Sequence, residues 1–175
     1  MNSRAIFYGG IVAAMLVSLP CAAAETARAE LVDSKGKSAG TVLLTQTPQG
    51  VLLSVRVSKL PPGVHALHIH EVGKCEPPFT TAGGHFNPGG KKHGLSNPEG
   101  MHAGDLPNLH VSKQGKAEVE VFATGVTLSP GATSLLDDDG SAIVLHAGPD
   151  DYATDPAGKA GDRIACGVVR KISPR

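Results

Sequence analysis

The sequence predicts an all-β fold, an antiparallel sandwich or barrel, on three observations. Short runs alternate apolar and polar residues with period two, turn-forming clusters punctuate them at close intervals, and no stretch sustains a helical period. The 22 glycines and 13 prolines, with no tryptophan, fit a loop-rich β protein better than a helical one. A length of 175 residues makes one domain with room for a proper core.

From about Ala29 to Val57 the chain reads as short strands separated by the turns Ser34-Lys35-Gly36-Lys37 and Pro48-Gln49-Gly50. Val51, Leu53, Val55 and Val57 alternate with Leu52, Ser54 and Arg56. After the Gln114-Gly115 turn, Ala117, Val119, Val121 and Ala123 alternate with Glu118, Glu120 and Phe122. After the Asp137-Asp138-Asp139-Gly140 turn, Ala142, Val144 and His146 share one face of a further strand. That acidic run is a solvated turn, because it lacks the spacing and closing glutamate of a calcium loop. Two segments do not read as strands, Cys75 to Asn108 and Ala147 to Ile164. Loops that long in a compact domain are usually functional.

The first 24 residues have the pattern of a cleaved signal peptide. Arg4 supplies a positive start, Ala5 to Leu19 is an apolar run too short to span a bilayer comfortably, Pro20 breaks it, and Ala22-Ala23-Ala24 offers a small-residue cut. The expected mature domain is 25–175, periplasmic or otherwise exported. A retained anchor and acylation at Cys21 are the alternatives, the second disfavoured by Pro20 just before the cut. After cleavage Cys75 and Cys166 remain, and an exported chain with one cysteine pair implies one disulfide. Closing a loop of about 90 residues stabilises by about 4–5 kcal/mol in the chain-entropy model. Neither cysteine has the nearby partner that a thiolate metal site would need. The 16 lysines and arginines balance 16 aspartates and glutamates, so no nucleic-acid or membrane-surface role is suggested.

The chemistry lies in the order His68-x-His70, His85, His93, His102-x-x-Asp105 and His146. Imidazole suits copper and zinc, and one carboxylate among imidazoles suits zinc better than a harder cation. Seven such groups are too many for one tetrahedral zinc and about right for two ions that share a ligand. His68 and His70, two apart on a strand, project from one face while Leu67 and Ile69 point the other way.

The local sequence narrows this. The blocks Gly63-Val64-His65-Ala66-Leu67-His68-Ile69-His70-Glu71, Ala82-Gly83-Gly84-His85-Phe86-Asn87-Pro88 and Lys91-Lys92-His93-Gly94 come first. Met101-His102-Ala103-Gly104-Asp105-Leu106-Pro107-Asn108, Val144-Leu145-His146-Ala147-Gly148-Pro149-Asp150-Asp151 and Gly161-Asp162-Arg163-Ile164-Ala165-Cys166-Gly167 follow. In order and spacing, over roughly residues 28 to 170, they resemble the copper/zinc superoxide dismutase family, in its bacterial exported type. The resemblance implies a Greek-key β-sandwich or barrel with long metal-binding and electrostatic loops. It implies disproportionation of superoxide to oxygen and hydrogen peroxide by a redox-cycling copper, which His85 bridges to a structural zinc. One copper and one zinc per subunit would be the cofactors and the superoxide anion the substrate.

By the same resemblance His68, His70, His85 and His146 are copper ligands, and His85, His93, His102 and Asp105 are zinc ligands. Asp155 looks like the aspartate that links a copper histidine to a zinc histidine, as metal-bound imidazoles usually require of a neighbouring acceptor. Arg163 resembles the arginine beside copper that docks the anion, a task suited to a guanidinium that stays charged. Lys159 could add to the steering field, or be a solvated lysine. His65 resembles a histidine that braces loops without binding metal, and His110 matches no ligand position. The alternative is a non-catalytic periplasmic copper/zinc-binding protein on the same fold, which would be expected to lack the bridge, the third copper histidine or the arginine. Whether the chain forms a homodimer, and whether a chaperone delivers its copper, the sequence leaves open.

Overall fold

The computed structural model describes residues 24–172. The expected signal segment over residues 1–24, apart from Ala24, therefore lies outside the described residues, and Cys21 with it. Ten strands follow in order: β1 (Thr26–Asp33), β2 (Ser38–Thr47), β3 (Gly50–Val57), β4 (Gly63–His65), β5 (Leu67–His70), β6 (Leu109–Val111), β7 (Ala117–Ala123), β8 (Ala142–His146), β9 (Arg163–Val168) and β10 (Arg170–Ile172). Among the described residues the one helical piece is a single 3-10 turn, Thr80–Ala82.

All the strand pairs are antiparallel, and the main sheet runs β5-β8-β9-β1-β2-β3-β7, with β10 also pairing β1. The chain leaves β7 at one end of this order and re-enters at β8 near the other, the long return of a Greek key. A two-stranded ribbon, β4–β6, completes the fold. The alternation seen in the sequence sorts the β3 side chains as expected: Val51, Leu53, Val55 and Val57 are buried and Arg56 is exposed. They pack with Val42, Leu44, Leu67, Ile69 and Leu145 in one main core.

In β7 the alternation is imperfect. Val121 and Ala123 are buried, but Val119 is 37% exposed although it stands opposite Val55. β7 ends the sheet order, so one flank of Val119 has no neighbouring strand to cover it. The three-residue strands β4, β6 and β10 escape sequence reading because they are too short to show a period.

Two features of the sheet place the functional side chains. Every residue of β5 and β8 is buried, since one face lies on the core and the other lies under the long loops. The open edge of β5 is closed by the loop itself: Ile69 N–H donates to Gly104 O at 2.9 Å and Phe86 N–H to Ile69 O at 2.8 Å. Only glycine fits at position 104, where a Cβ would come within 2.2 Å of the Ile69 carbonyl oxygen. The second feature is a register shift between Leu145 and His146 against β9. Leu145 pairs with Ala165, but His146 pairs with Arg163, so the bulge skips Ile164 and sets the arginine opposite the histidine.

Candidate metal centre

Strand alternation sends His68 and His70 to the same side of β5, opposite the core residues Leu67 and Ile69, and His146 joins them from β8. The loop pairing to β5 delivers His85 through a bridge to His70. Four imidazoles then crowd together. The His85 ring lies 4.0 Å from that of His68 and 4.9 Å from that of His70, and His68 and His146 are 5.0 Å apart.

In each ring one nitrogen is engaged by an oxygen. His68 Nε2–H donates to Asp150 Oδ2 at 2.8 Å, His70 Nδ1–H to Gly83 O at 3.0 Å and His146 Nδ1–H to Gly161 O at 3.1 Å. His85 Nδ1 faces Asp105 Oδ1 at 2.8 Å. A carbonyl or carboxylate oxygen can only accept, so the opposite nitrogen of each neutral ring carries a lone pair. Those four atoms, His68 Nδ1, His70 Nε2, His85 Nε2 and His146 Nε2, are buried without any hydrogen-bond partner. One ring nitrogen from each of these four histidines lies within 4.8 Å of those of the others, a span that one ion with bonds of about 2 Å can bridge. Burial depresses His68 to about 4, His146 to about 3 and His70 to about 2, with the Arg163 charge a further opponent of protonation at the last two. The three are therefore neutral at physiological pH. All-imidazole donors fit copper.

The second set is a loop construction. His85 Nδ1, His93 Nδ1 and His102 Nδ1 stand 2.8, 3.0 and 3.3 Å from Asp105 Oδ1, and His85 Nδ1 and His102 Nδ1 are 3.4 Å apart. Four ligands at about 2.0–2.1 Å in a tetrahedron are about 3.3–3.4 Å from one another, close to the longer of these separations, so three imidazoles and a carboxylate are a donor set that suits zinc. The other carboxylate oxygen, Oδ2, is fixed by the N–H groups of Gly94 at 2.9 Å and His102 at 3.0 Å. Burial works against the Asp105 charge, but the His85 and Gly94 hydrogen bonds outweigh it and bring this carboxyl to about 2. His85 alone belongs to both sets, with Nε2 toward one and Nδ1 toward the other.

One expected residue is corrected. Asp155 does not link the two sets: its carboxylate is exposed at the loop surface, accepts the backbone N–H of His93 at 2.7 Å and lies 3.6 Å from Lys92 Nζ. The linking residue is Asp150, four positions after His146, whose Oδ2 accepts from His68 Nε2 at 2.8 Å and whose Oδ1 accepts from His93 Nε2 at 3.0 Å. Burial raises the Asp150 pKa, but the donors from His68, His93 and Tyr152 hold it well below the usual carboxylate range. Asp150 fits because Gly158 is against it, where a Cβ would stand 1.8 Å from Oδ1. In the sequence the clue was proximity to His146.

Arg163 is aimed by the far loop. Nη1 donates to Phe79 O at 2.6 Å and Nη2 to Gly83 O at 2.7 Å, the latter also the acceptor for His70. Cys75 and Cys166 are joined in a disulfide spanning 91 positions, which ties the start of that loop to the strand carrying the arginine. The two carbonyls are invisible in the sequence, because acceptors on a main chain leave no trace in residue types. His65 binds neither set: its ring lies between the carbonyls of His146 and Pro61, at 2.8 and 2.9 Å. Lys159 is largely exposed, 3.8 Å from Asp151, and His110 is exposed on β6.

Comparison with known proteins agrees with this geometry. The profile described as copper/zinc superoxide dismutase (SODC) matches residues 38–169. "Superoxide dismutase [Cu-Zn] 1" of Aquifex aeolicus is 52% identical over 160 residues, covering 90% of this chain and 95% of that protein. Among solved structures, a double mutant of a SOD-like protein from Bacillus subtilis superposes with a TM-score of 0.78 at 43% identity, covering 81% of this chain and 95% of that one. Cu/Zn superoxide dismutase from Brucella abortus does so with a TM-score of 0.66 at 32% identity, covering 83% and 100%. With two ligand sets meeting at one histidine on a matching fold, this chain belongs to the copper/zinc superoxide dismutase family, oxidoreductases whose cofactors are copper and zinc.

Proposed function

We propose that the chain is an exported superoxide dismutase that converts two superoxide anions and two protons to oxygen and hydrogen peroxide. The observation that carries this reading is the quartet of buried, partnerless imidazole nitrogens beside a positioned guanidinium. His68, His70, His85 and His146 would hold copper, and His85, His93, His102 and Asp105 would hold zinc. When bound, copper supplies one-electron redox chemistry and zinc a fixed charge.

The chain's own residues account for the rest. His68, His70 and His146 present lone pairs without first losing a proton, because burial keeps them neutral. His85 has Nδ1 directed to the zinc set, so its Nε2 is the atom at which this site can hold a proton and give it to reduced substrate. Asp150 fixes the His68 and His93 rings against each other. Arg163 offers a permanent cation across the bulge from His146, where a small anion can dock. A guanidinium held beside the site by two main-chain carbonyls supports the catalytic reading over metal binding alone.

Export is supported by the residue pattern over 1–24 and by the disulfide, a bond that persists in oxidising compartments. Glu25, the first residue of the expected mature chain, accepts from Ser129 Oγ at 2.6 Å and pairs with Lys171 at 2.7 Å.

The test is superoxide removal by the purified protein loaded with copper and zinc, compared with Arg163→Glu. Charge reversal should lower activity by more than about tenfold while leaving both metals bound, since an anion is then repelled at the docking point. Loaded protein without activity would support the non-catalytic metal-binding reading instead.

A further inference from the structure

We propose that Tyr152 is a positioning residue for Asp150, and through it for the coupling of the two ligand sets; the proposal rests on reading those sets as the copper and zinc sites. Asp150 lies in a segment without regular structure, four residues beyond β8. Its carboxylate must nonetheless meet two rings at once, His68 on Oδ2 and His93 on Oδ1. Neighbouring groups have to fix it there.

Asn108 holds the main chain of Asp150 from both sides. Asp150 N–H donates to Asn108 Oδ1 at 2.8 Å, and Asn108 Nδ2–H donates to Asp150 O at 2.9 Å. Tyr152 holds the carboxylate: its N–H donates to Asp150 Oδ1 at 2.6 Å. That donor turns back toward Asp150 in a tight Asx turn, and Tyr152 itself stands at φ 61°, in the left-handed region that residues with a side chain enter uncommonly. Glycine would take that conformation more readily.

The phenol supplies what glycine could not. Asn108 N–H donates to Tyr152 Oη at 2.7 Å, so the residue that clamps the Asp150 backbone is gripped by the residue that clamps its carboxylate. The Tyr152 carbonyl accepts Ser96 N–H at 2.9 Å and leaves no room for a Cβ at Gly94, which would stand 2.2 Å from that oxygen. Tyr152 therefore joins the segment after β8 to the zinc loop at Asn108 and Ser96, with Gly94 packed against it. The contacts form a closed circuit, from phenol to Asn108, to the Asp150 backbone, to its carboxylate, and back to Tyr152 N–H. Removing the phenol oxygen opens the circuit at one point and changes the packing volume very little.

Tyr152→Phe makes that cut. The Asp150 carboxylate keeps its partners but loses its fixed orientation, so both ligand sets should respond. Zinc release from the copper- and zinc-loaded protein into a chromogenic chelator should speed up about three- to tenfold, at or just below the range seen when supporting partners of ligands are lost. The visible copper absorption should shift in the same variant. The unfolding midpoint of the metal-free variant should match that of the unsubstituted protein, which separates positioning from general loosening.

A double-mutant cycle settles the route. In an Asp150→Asn background, Tyr152→Phe should change zinc release less than about twofold, because the group through which it acts is already altered. The full effect in that background would overturn the proposal, as would zinc release and a copper spectrum unchanged in the single variant. The site reading fails separately, and earlier, if the unsubstituted protein takes up neither metal.

Discussion

The two ligand sets are held by different means. Three members of the proposed copper set stand on strands, His68 and His70 on β5 and His146 on β8, and each has one ring nitrogen tied to a separate oxygen. Every member of the proposed zinc set lies in the loop between β5 and β6, where three ring nitrogens crowd around one oxygen, Asp105 Oδ1. The strand-borne set is positioned by the sheet, so it needs no ion to exist. The loop-borne set depends on whatever gathers its members, first the Asp105 carboxylate and then zinc. His85 belongs to both, and through it the rigid set can anchor the soft one.

Removing that residue should have the largest effect. His85→Ala takes one donor from each set, so copper and zinc affinities should both fall and activity should drop by about 100-fold or more, beyond the range typical of supporting residues alone. Metal titrations and superoxide removal would be measured on the same preparation. If copper and zinc each bind with unchanged affinity, His85 is not the shared ligand.

A smaller effect should tell the sets apart. Withdrawing zinc should raise amide hydrogen exchange through residues 84–105 about tenfold or more, equivalent to about 1.4 kcal/mol in local opening, while β5 and β8 keep their protection. Withdrawing copper should leave both regions nearly as protected as before. Equal loosening of strands and loop on zinc removal would mean that the sheet does not hold the copper set by itself.

The same contrast explains what could be read from the sequence. The alternation in β3 and the His-x-His pattern in β5 follow from a period-two backbone, and the structure keeps both. The loop ligands were legible only through their residue types and order, since no periodicity governs a loop. Asp150 and Asp155 show where this stops. Both are aspartates in the same segment, and only the path of the chain, with Gly158 making room and Tyr152 turning back, decides which one reaches the imidazoles. The bulge that puts Arg163 opposite His146 was equally hidden, because a one-residue shift in pairing has no mark in composition.

Acid should expose the strand-borne set next. In the metal-free protein His68, His70 and His146 have folded pKa values of about 4, 2 and 3, below the value of about 6.5 they recover on unfolding. Between those values the unfolded chain binds more protons than the folded one, so stability falls as pH drops below 6.5 and continues to fall toward pH 4. Each buried imidazole contributes on the order of 1 kcal/mol per pH unit in that window. Urea unfolding of the metal-free protein at pH 7 and pH 5 measures this. An unchanged midpoint would show that the rings accept protons without leaving their places.

The smallest effect should come from the conservative change at the anion site. Arg163→Lys keeps a positive charge, so steering over long distance survives and activity should still decline with ionic strength. Aim is what the substitution removes. The guanidinium uses two separate nitrogens to reach Phe79 O and Gly83 O, and a single ammonium nitrogen on a flexible stem cannot span both in that fork. Activity should therefore fall only about three- to tenfold, or about 0.6–1.4 kcal/mol in transition-state stabilisation, with both metals still bound. Because Gly83 O also accepts from His70, the loss should bring a small change in the copper absorption, absent from variants of exposed cations such as Lys159. A lysine variant as inactive as Arg163→Glu would show that the fork geometry matters more than the charge. One with full activity and an unchanged spectrum would show that charge alone suffices.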